Sequence, residues 1–296
     1  MSVPIGGVHG IRNYGYLRRA SGSLEGAVDA ISADWATWLA QGVGRCYSHV
    51  AIPLRVPVAY YADCLFRGHR MGVDDPGQLN KHAQALFIAW VDELQREEAG
   101  ADAASLVRQG RLTLAIRQPV AWFTERYGER ALAIVTATVA ELATYFDPEF
   151  AHLRNKARAR VAEVIRRQRP RVLLAHSLGS VVAYEALCQD PDLNLEMLIT
   201  LGSPLAMHSV VFERLQPKPI GRGMRPPGVA SWVNIADYGD PVAVPRHRLA
   251  ERFDGVDRDH ETSISLVNPH TAQDYLGCAE LAAELAPFLT LPPSGP

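Results

Sequence analysis

The amino-acid sequence predicts an α/β protein with a mostly parallel sheet of about six strands, helices on both faces and a helical cap insertion. In the second half of the chain, short β-prone segments alternate with helical patterns, which is typical of parallel sheets covered on both faces. Of the 296 residues 48% are hydrophobic, enough to fill a sizeable core. Residues 65–150 carry helical patterns and no convincing strand, which indicates an insertion into this alternation.

The N-terminal part predicts a strand, a helix and a second strand. Residues Val3–Val8 are apolar and end at His9-Gly10. The segment "RVPVAYY" (55–61) is rich in β-branched and aromatic residues, as strands are. A helix over 24–39 is predicted because five apolar residues share one face at helical spacing. These residues are Leu24, Val28, Ile31, Trp35 and Trp38.

The insertion predicts one helix over 74–98 and one or two more over 119–146. A crossover between parallel strands needs only about a dozen residues, so 65–150 is interpreted as a helical cap, and 1–64 with 151–296 as the core. Six aromatic residues of the insertion either line an acyl pocket or form the packing core of the cap itself. They are Trp90, Trp122, Phe123, Tyr127, Tyr145 and Phe146.

The second half predicts a regular alternation of elements. Its helices are expected over 151–168, 180–189, 209–215 (a short helical segment) and 271–286. Its strands are expected over 172–175, 196–202, 230–237 and 262–268. Ligand chemistry in such sheets gathers beyond the carboxyl ends of the strands, so those ends are where functional side chains are sought.

Composition limits the function classes and the expected location. The formal net charge of −2 gives no positive electrostatic potential over the whole protein that would attract nucleic acid or anionic lipid. The basic run at 154–171 fits the solvated face of an amphipathic helix better than a nucleic-acid patch. Four widely spaced cysteines without a C-x-x-C motif fit reduced thiols. With no signal-peptide pattern and no apolar run of about 20 residues, we expect a cytoplasmic protein without stable membrane insertion.

A candidate nucleophile, Ser177, lies in "AHSLGS" (175–180), between a buried strand and a helix. A tight strand-to-helix turn lifts such a serine above the sheet, and the residues two before and two after it must be small. Here they are Ala175 and Gly179. The same turn aims a helix N-terminus at the serine, so the Leu178 N–H is a candidate oxyanion donor. The alternative is an ordinary turn serine or helix N-cap.

Candidates for the other two members of a catalytic triad follow the next strands. Asp240 comes after strand 230–237, with Asp237 as the alternative, and His270 comes after strand 262–268. A serine nucleophile needs a base, and the base needs an orienting carboxylate. His260 and His247 fit the base less well, because they fall on the long loop before the last predicted strand.

The end of the first strand supplies a candidate oxyanion segment. Gly10 lets backbone pass close to a ligand, and the Ile11 N–H is the natural second oxyanion donor. His9 fits a role in orienting this loop better than that of the base. His9, Gly10 and His176 are expected to lie on the substrate-binding side of the site, whereas the alternative for this segment is a β-turn without function.

Together these segments resemble the α/β-hydrolase superfamily, and within it the lipase and esterase branch. The resemblance rests on "VHG", "AHSLGS", "LGSPL" (201–205), "DYGDPVAV" and the terminal His before a helix, and it covers nearly the whole chain. It implies Ser177 as nucleophile, Asp240 as acid, His270 as base, and the N–H groups of Ile11 and Leu178 as oxyanion hole. The chain departs from the commoner pattern at Ala175, where that pattern has glycine, and in having fewer early strands.

The expected function is therefore hydrolysis of a carboxylic ester of a small, partly apolar acyl substrate, without metal or organic cofactor. A serine peptidase, an acyltransferase or thioesterase, and an inactive hydrolase-fold binding module remain alternatives, because a triad serves esters, thioesters and amides alike. A dinucleotide-binding enzyme is excluded because no G-x-G-x-x-G follows a strand and opens a helix. The sequence leaves the oligomeric state open.

Overall fold

Six parallel strands form the main sheet of the protein. The computed structural model describes residues 4–47, 54–66, 75–99, 116–243, 249–264 and 270–289. The strands are β1 (Ile5–Val8), β2 (Val58–Ala59), β3 (Val172–His176), β4 (Leu195–Leu201), β5 (Gly223–Met224), β6 (Val229–Asp237), β7 (Phe253–Asp254) and β8 (Arg258–Thr262). The main sheet has the order β2-β1-β3-β4-β6-β8, and β5 and β7 form a separate parallel pair. The predicted parallel α/β fold is confirmed.

Helices surround the sheet. In the described residues they are α1 (Tyr14–Arg19), α2 (Leu24–Cys46), α3 (Ala62–Leu65), α4 (Lys81–Ala99), α5 (Arg117–Phe146), α6 (Ala151–Gln168), α7 (Leu178–Gln189), α8 (Leu249–Arg252), α9 (Ala272–Leu276) and α10 (Ala279–Leu289). Short 3-10 turns occupy Pro76–Gln78, Pro148–Phe150 and Phe212–Arg214. None of the helices in these ranges is both long and apolar enough to cross a membrane.

The sheet separates two hydrophobic clusters. Leu173 and Ala175 of β3 contribute to the cluster shared with α4, α5, α6 and α7. Val172 and Leu174 of the same strand contribute to the other cluster, shared with α2, α9 and α10. Successive side chains of a strand point to opposite faces, so the first four residues of β3 are apolar because both of its faces are covered.

The described part of the insertion is helical and shares its core with the rest of the protein. Gly128, with a φ of 82°, breaks α5 into two helical segments, which is why the pattern fitted one or two helices. Trp90 of α4 is fully buried and donates its indole N–H to the Pro241 carbonyl at 2.8 Å. Phe123 and Tyr145 are also buried in the cluster shared with α7. These contacts favour the packing role of the aromatic residues over an acyl pocket, and the role of the insertion as a cap stays a prediction.

The last strand that the structure describes begins earlier than the predicted strand over 262–268. The strand runs over Arg258–Thr262, residues 263–264 follow it without regular structure, and 265–269 lie outside the described residues. Its polar sequence forms an edge strand because its side chains have partners: Arg258 and His260 both contact Glu284 of α10. Charged side chains are a common feature of edge strands, and they hide the hydrophobic pattern on which strand prediction depends.

Three further boundaries differ from the sequence-based expectation. The second strand is reduced to Val58–Ala59, because the outer Val58 N–H is taken by the Ser32 hydroxyl of α2 at 3.1 Å. The expected helix over 271–286 is two helices, separated at Gly277-Cys278. Gly277 lies against α2, where a Cβ would come within 2.5 Å of Arg45 Nη2. The segment 209–215 holds only one 3-10 turn.

Candidate active site

Ser177 lies at the corner between β3 and α7, in a backbone conformation that is rare for a residue with a side chain. Its φ is 54° and its ψ is −131°. The Ser177 N–H donates to the Leu201 carbonyl of β4 at 2.9 Å, which holds the corner against the neighbouring strand. A strained residue of this kind is maintained only where the surroundings fix it, and such residues concentrate at functional sites.

The residues on either side of Ser177 are small for a steric reason. A Cβ on Gly179 would lie 2.4 Å from the His9 carbonyl oxygen, so the backbones of β1 and α7 come too close for any side chain there. Ala175 pairs with Val8 on one side and with Thr200 on the other, and its methyl group is buried in the core. The sheet therefore accommodates the extra methyl group at position 175.

His270 bridges Ser177 and Asp240. Its Nε2 lies 2.8 Å from Ser177 Oγ, and its Nδ1 lies 2.7 Å from Asp240 Oδ2. An ionised carboxylate only accepts hydrogen bonds, so Nδ1 carries the proton and Nε2 offers its lone pair to the serine hydroxyl. Ser177 and Asp240 are fully buried, and His270 is nearly so. The structure brings together the three residues that the sequence predicted, in the geometry of a nucleophile, a base and an orienting carboxylate.

The competing candidates are engaged elsewhere. The Asp237 carboxylate accepts hydrogen bonds from the Gly239 N–H at 2.6 Å and from the Ile264 N–H at 2.5 Å. His260 belongs to β8 and contacts Glu284 at 2.7 Å. His247 lies outside the described residues.

A chain of hydrogen bonds stabilises the corner between β3 and α7. The Ser180 hydroxyl lies 2.6 Å from the Ser177 carbonyl oxygen and 2.7 Å from the Ser203 hydroxyl oxygen. Ser203 Oγ also accepts the Leu205 N–H at 3.2 Å. Because the Ser180 hydroxyl donates to Ser177, the Ser203 hydroxyl donates to Ser180, and every group of this buried chain has a partner. No role was assigned to Ser180 or Ser203 from the sequence.

The end of β1 lies beside Ser177. A Cβ on Gly10 would lie 2.7 Å from Ser177 Cβ, so the backbone following β1 passes directly by the serine. Within the described parts of the chain, the N–H groups of Ile11 and Leu178 have no hydrogen-bond acceptor. The Leu178 N–H is one of the unpaired donors at the start of α7. Their role as an oxyanion hole stays a prediction.

His9 holds this loop in place through both ring nitrogens. Its Nε2 accepts the Tyr61 N–H at 3.0 Å, so the ring proton is on Nδ1, which donates to the Gly10 carbonyl at 2.6 Å. Burial lowers the pKa of His9 to about 4, although the Gly10 bond opposes the shift, so the ring is neutral at pH 7. The Asn13 side-chain amide donates to the carbonyl groups of Gly10 and Ile11. These contacts favour the loop-orienting role of His9 over direct contact with a substrate.

His176 is a buried neighbour of His270. Its ring centroid lies 4.9 Å from that of His270, and its Nε2 has no hydrogen-bond partner among the described residues. Burial, and after it the nearby His270 and His9, lower the pKa of His176 well below its ordinary value. The ring is therefore neutral, and its substrate-binding role stays a prediction.

The inserted helix α5 reaches the same loop. Glu141 Oε1 accepts the Arg12 N–H at 2.8 Å, next to the candidate oxyanion donor Ile11. Arg12 has a φ of 62°, so this contact supports a conformation that a side chain disfavours. Burial raises the pKa of Glu141 to about 7, and the bond from Arg12 opposes the rise. The sequence offered no signal for this contact, because the two residues are 129 positions apart.

Gly202 and Tyr275 complete the surroundings of Asp240. Gly202 has a φ of 54°, and a Cβ there would lie 2.9 Å from Asp240 Oδ2. The Tyr275 hydroxyl lies 2.8 Å from the same oxygen. Neither residue was singled out from the sequence. In the described ranges, no group of three or more His, Cys, Asp or Glu side chains is arranged to hold a metal ion.

Comparison with protein-family models gave no match, and neither curated proteins nor solved structures gave a significant one. A functional assignment therefore depends on the geometry of the chain itself, above all on the contacts of His270 with Ser177 and Asp240.

Proposed function

We propose that the protein is a serine hydrolase that cleaves a carboxylic ester through an acyl-enzyme on Ser177. The observation that carries the proposal is the placement of His270 at hydrogen-bond distance from both Ser177 Oγ and Asp240 Oδ2. The resemblance of "AHSLGS" and its partner segments to lipases and esterases of the α/β-hydrolase superfamily supports an ester as the substrate and a partly apolar acyl group.

In the proposed acylation, Ser177 Oγ attacks the ester carbonyl carbon while His270 Nε2 takes the hydroxyl proton. Asp240 stabilises the imidazolium through its bond to Nδ1. The negative charge on the former carbonyl oxygen is met by the Ile11 and Leu178 N–H groups, and one such donor typically stabilises the transition state by about 3 kcal/mol. Collapse of the tetrahedral intermediate breaks the ester C–O bond, and the imidazolium returns its proton to the leaving alkoxide.

Deacylation repeats the sequence with water. His270 takes a proton from the water as its oxygen attacks the acyl carbon, and the imidazolium then returns a proton to Ser177 Oγ as the acyl bond to serine breaks. The products are a carboxylic acid and an alcohol, and no redox partner is needed.

The first test is covalent labelling of the intact protein with a small alkyl fluorophosphonate, followed by peptide mass spectrometry. We expect one phosphonyl group on Ser177, no labelling of Ser177→Ala, and normal labelling of Ser263→Ala, which changes an exposed serine. Absence of an adduct on the folded wild-type protein would reject the nucleophile and favour an inactive binding module.

The second test is a panel of aryl esters, thioesters and peptide anilides with matched acyl groups. We expect the esters to give the highest kcat/KM, with Ser177→Ala reducing it by at least a thousandfold, in line with other triad serines. Faster turnover of the anilides or thioesters would overturn the ester assignment while leaving the nucleophile in place.

The location is proposed from the cysteines. Cys46, Cys64, Cys188 and Cys278 are all unpaired, as is usual for proteins of a reducing compartment. We propose the cytoplasm, without a nucleic-acid partner.

A further inference from the structure

Tyr275 makes two hydrogen bonds that fix its hydroxyl group beside the candidate triad. It lies on α9, five residues after His270, and its side chain is fully buried. Its hydroxyl oxygen is 2.9 Å from the Asp237 nitrogen and 2.8 Å from Asp240 Oδ2. Thus the segment that supplies the base also supplies a second contact to the carboxylate that orients the base.

The direction of both bonds follows from the chemistry of the groups. A backbone N–H only donates, so the phenolic oxygen accepts from Asp237. The single hydroxyl proton is then available only for the carboxylate. Burial raises the pKa of Tyr275 well above its ordinary value, as does the nearby Asp240, so the hydroxyl keeps its proton.

Asp240 is fully buried and accepts three hydrogen bonds from described residues. Oδ1 accepts the Val242 N–H at 2.8 Å, and Oδ2 accepts both His270 Nδ1–H and the Tyr275 hydroxyl. Gly202 leaves room for this arrangement, because a Cβ there would lie 2.8 Å from Tyr275 Cε2 as well as against Oδ2. Satisfied buried polar groups of this kind hold one geometry, since each lost partner is costly.

We propose that Tyr275 is a positioning residue of the candidate triad: its hydroxyl holds Asp240 Oδ2 in line with His270 and withdraws part of the carboxylate's charge from the imidazolium. This inference rests on the proposed hydrolase function. Withdrawing charge weakens the attraction between Asp240 and the imidazolium, so the charged form of His270 is stabilised less than it would be beside an unshared carboxylate. His176 also faces this group, with its ring centroid 4.9 Å from that of His270 and 5.6 Å from that of Tyr275, but burial lowers its pKa well below the ordinary value, so it stays neutral.

The test is the pH dependence of fluorophosphonate labelling in Tyr275→Phe. We expect the midpoint of the acid limb, which is the rising low-pH side of the plot of labelling rate against pH, to move up by roughly half a pH unit. Part of a charge-assisted hydrogen bond to Asp240 is lost, and a shift of one pH unit corresponds to a tenfold change in the proton-binding equilibrium. We also expect the plateau rate to fall about tenfold, as for loss of a bond to a charged group, with little change in KM for a hydrolysed aryl ester.

Tyr145→Phe is the matched control. Tyr145 is also buried, and its hydroxyl donates to another buried carboxylate, Glu185, at 2.7 Å. We expect this variant to lose stability as Tyr275→Phe does, and to keep the wild-type acid limb. If Tyr275→Phe retained the wild-type limb, or if both variants shifted it equally, the positioning role would be rejected.

A second substitution keeps the shape of the side chain, in case Tyr275→Phe folds poorly. Site-specific 3-fluorotyrosine at position 275 has a more acidic hydroxyl and is a stronger donor, so the acid limb should move to lower pH, opposite to the shift in Tyr275→Phe. An unchanged limb in a labelled, folded protein would contradict the inference. Failure of the wild-type protein to label at Ser177 would instead reject the proposed function, so the two failures are distinguishable.

Discussion

At the scale of single residues, the candidate site depends on positions where one methyl group decides whether the corner can form. A Cβ on Gly179 would lie 2.4 Å from the His9 carbonyl oxygen and 2.6 Å from that of Val8. Both neighbours are backbone atoms of the segment that carries the candidate oxyanion loop. These two carbonyl groups cannot move aside without separating the loop from Ser177.

Gly179→Ala should therefore damage stability and reactivity together. Forcing a methyl group between two backbones costs about 2–3 kcal/mol, in the range for overpacked cores, and it displaces the loop from Ser177. We expect a lower urea midpoint and at least a tenfold loss of fluorophosphonate labelling. The control is Gly44→Ala on α2, where nothing lies within 4 Å of the added Cβ. There alanine should leave labelling unchanged, and a wild-type labelling rate in Gly179→Ala would contradict the steric argument.

Glu141 predicts a pH dependence of stability. The pKa of its carboxyl group is about 7 in the folded protein, above the ordinary 4.5, mainly because of burial. The folded state therefore holds the proton more tightly than the unfolded state. The stability associated with this group is fully present below pH 4.5 and is lost as the pH rises through 7.

Glu141→Gln does not titrate and keeps an oxygen that accepts the Arg12 N–H. Relative to wild type, its free energy of unfolding should rise between pH 4.5 and 8 by about 1–2 kcal/mol, less than the full shift implies because the residue keeps some solvent contact. Urea unfolding of both proteins at pH 4.5, 6 and 8 measures this difference. A difference that stayed constant with pH would exclude Glu141 as the titrating group.

At the scale of elements, α5 is joined to the candidate oxyanion loop by the same residue. We expect Glu141→Ala to leave the Arg12 N–H without its acceptor, to loosen the Ile11 donor and to lower kcat on an aryl ester about tenfold, in the range for a weakened oxyanion contact. Glu141→Gln should retain most of the wild-type kcat, because its amide oxygen still accepts the bond. Binding of a boronic-acid inhibitor should weaken in parallel with kcat/KM.

Glu129→Ala on the same helix is the control for the loss of a carboxylate from α5, since Glu129 is exposed. It should behave as wild type. If Glu141→Ala kept full kcat and full boronate affinity, the contact between α5 and the loop would have no bearing on the reaction.

The elements that sequence reasoning located best are those whose local pattern matches their surroundings. β3 and α7 were predicted within a few residues because the strand is apolar on both faces and the corner requires small residues. The strand β8 over 258–262 was not predicted, because its side chains are polar and find partners on α10, such as Glu284. Tyr275 was missed because a buried aromatic residue in a helix normally indicates only packing, and its bond to Asp240 depends on the three-dimensional fold.

At the scale of the whole molecule, the sheet order explains why distant segments form one site. β1 and β4 flank β3, and β6 lies next to β4. The carboxyl ends of these parallel strands lie at one edge, which places Gly10, Ser177, Gly202 and Asp240 side by side. His270 follows β8 by eight positions and directly precedes Thr271, the N-cap of α9, and residues 265–269 lie outside the described part of the chain. Its hydrogen bonds to Asp240 and Ser177 connect it to two of these strand ends.

The burial of the site predicts its preference for substrate size. Ser177 has no exposed surface, and the hydrophobic cluster is continuous from the sheet through α7 to α4 and α5. A reagent reaches Ser177 only when packed side chains separate, and a larger group requires a larger separation at greater cost in lost packing contacts. We therefore expect short acyl chains to be favoured over long ones.

Labelling rates of a fluorophosphonate series with methyl, butyl, octyl and dodecyl chains measure this preference, each rate being divided by the reagent's own rate of hydrolysis in water. The methyl compound should react at least tenfold faster than the dodecyl compound, because each added methylene enlarges the opening that the close-packed core must provide. A rate that rose with chain length would contradict this expectation. It would mean that an apolar tunnel leads to Ser177 and that the substrate is lipid-like, because transfer of each methylene from water would then contribute about 0.8 kcal/mol to binding.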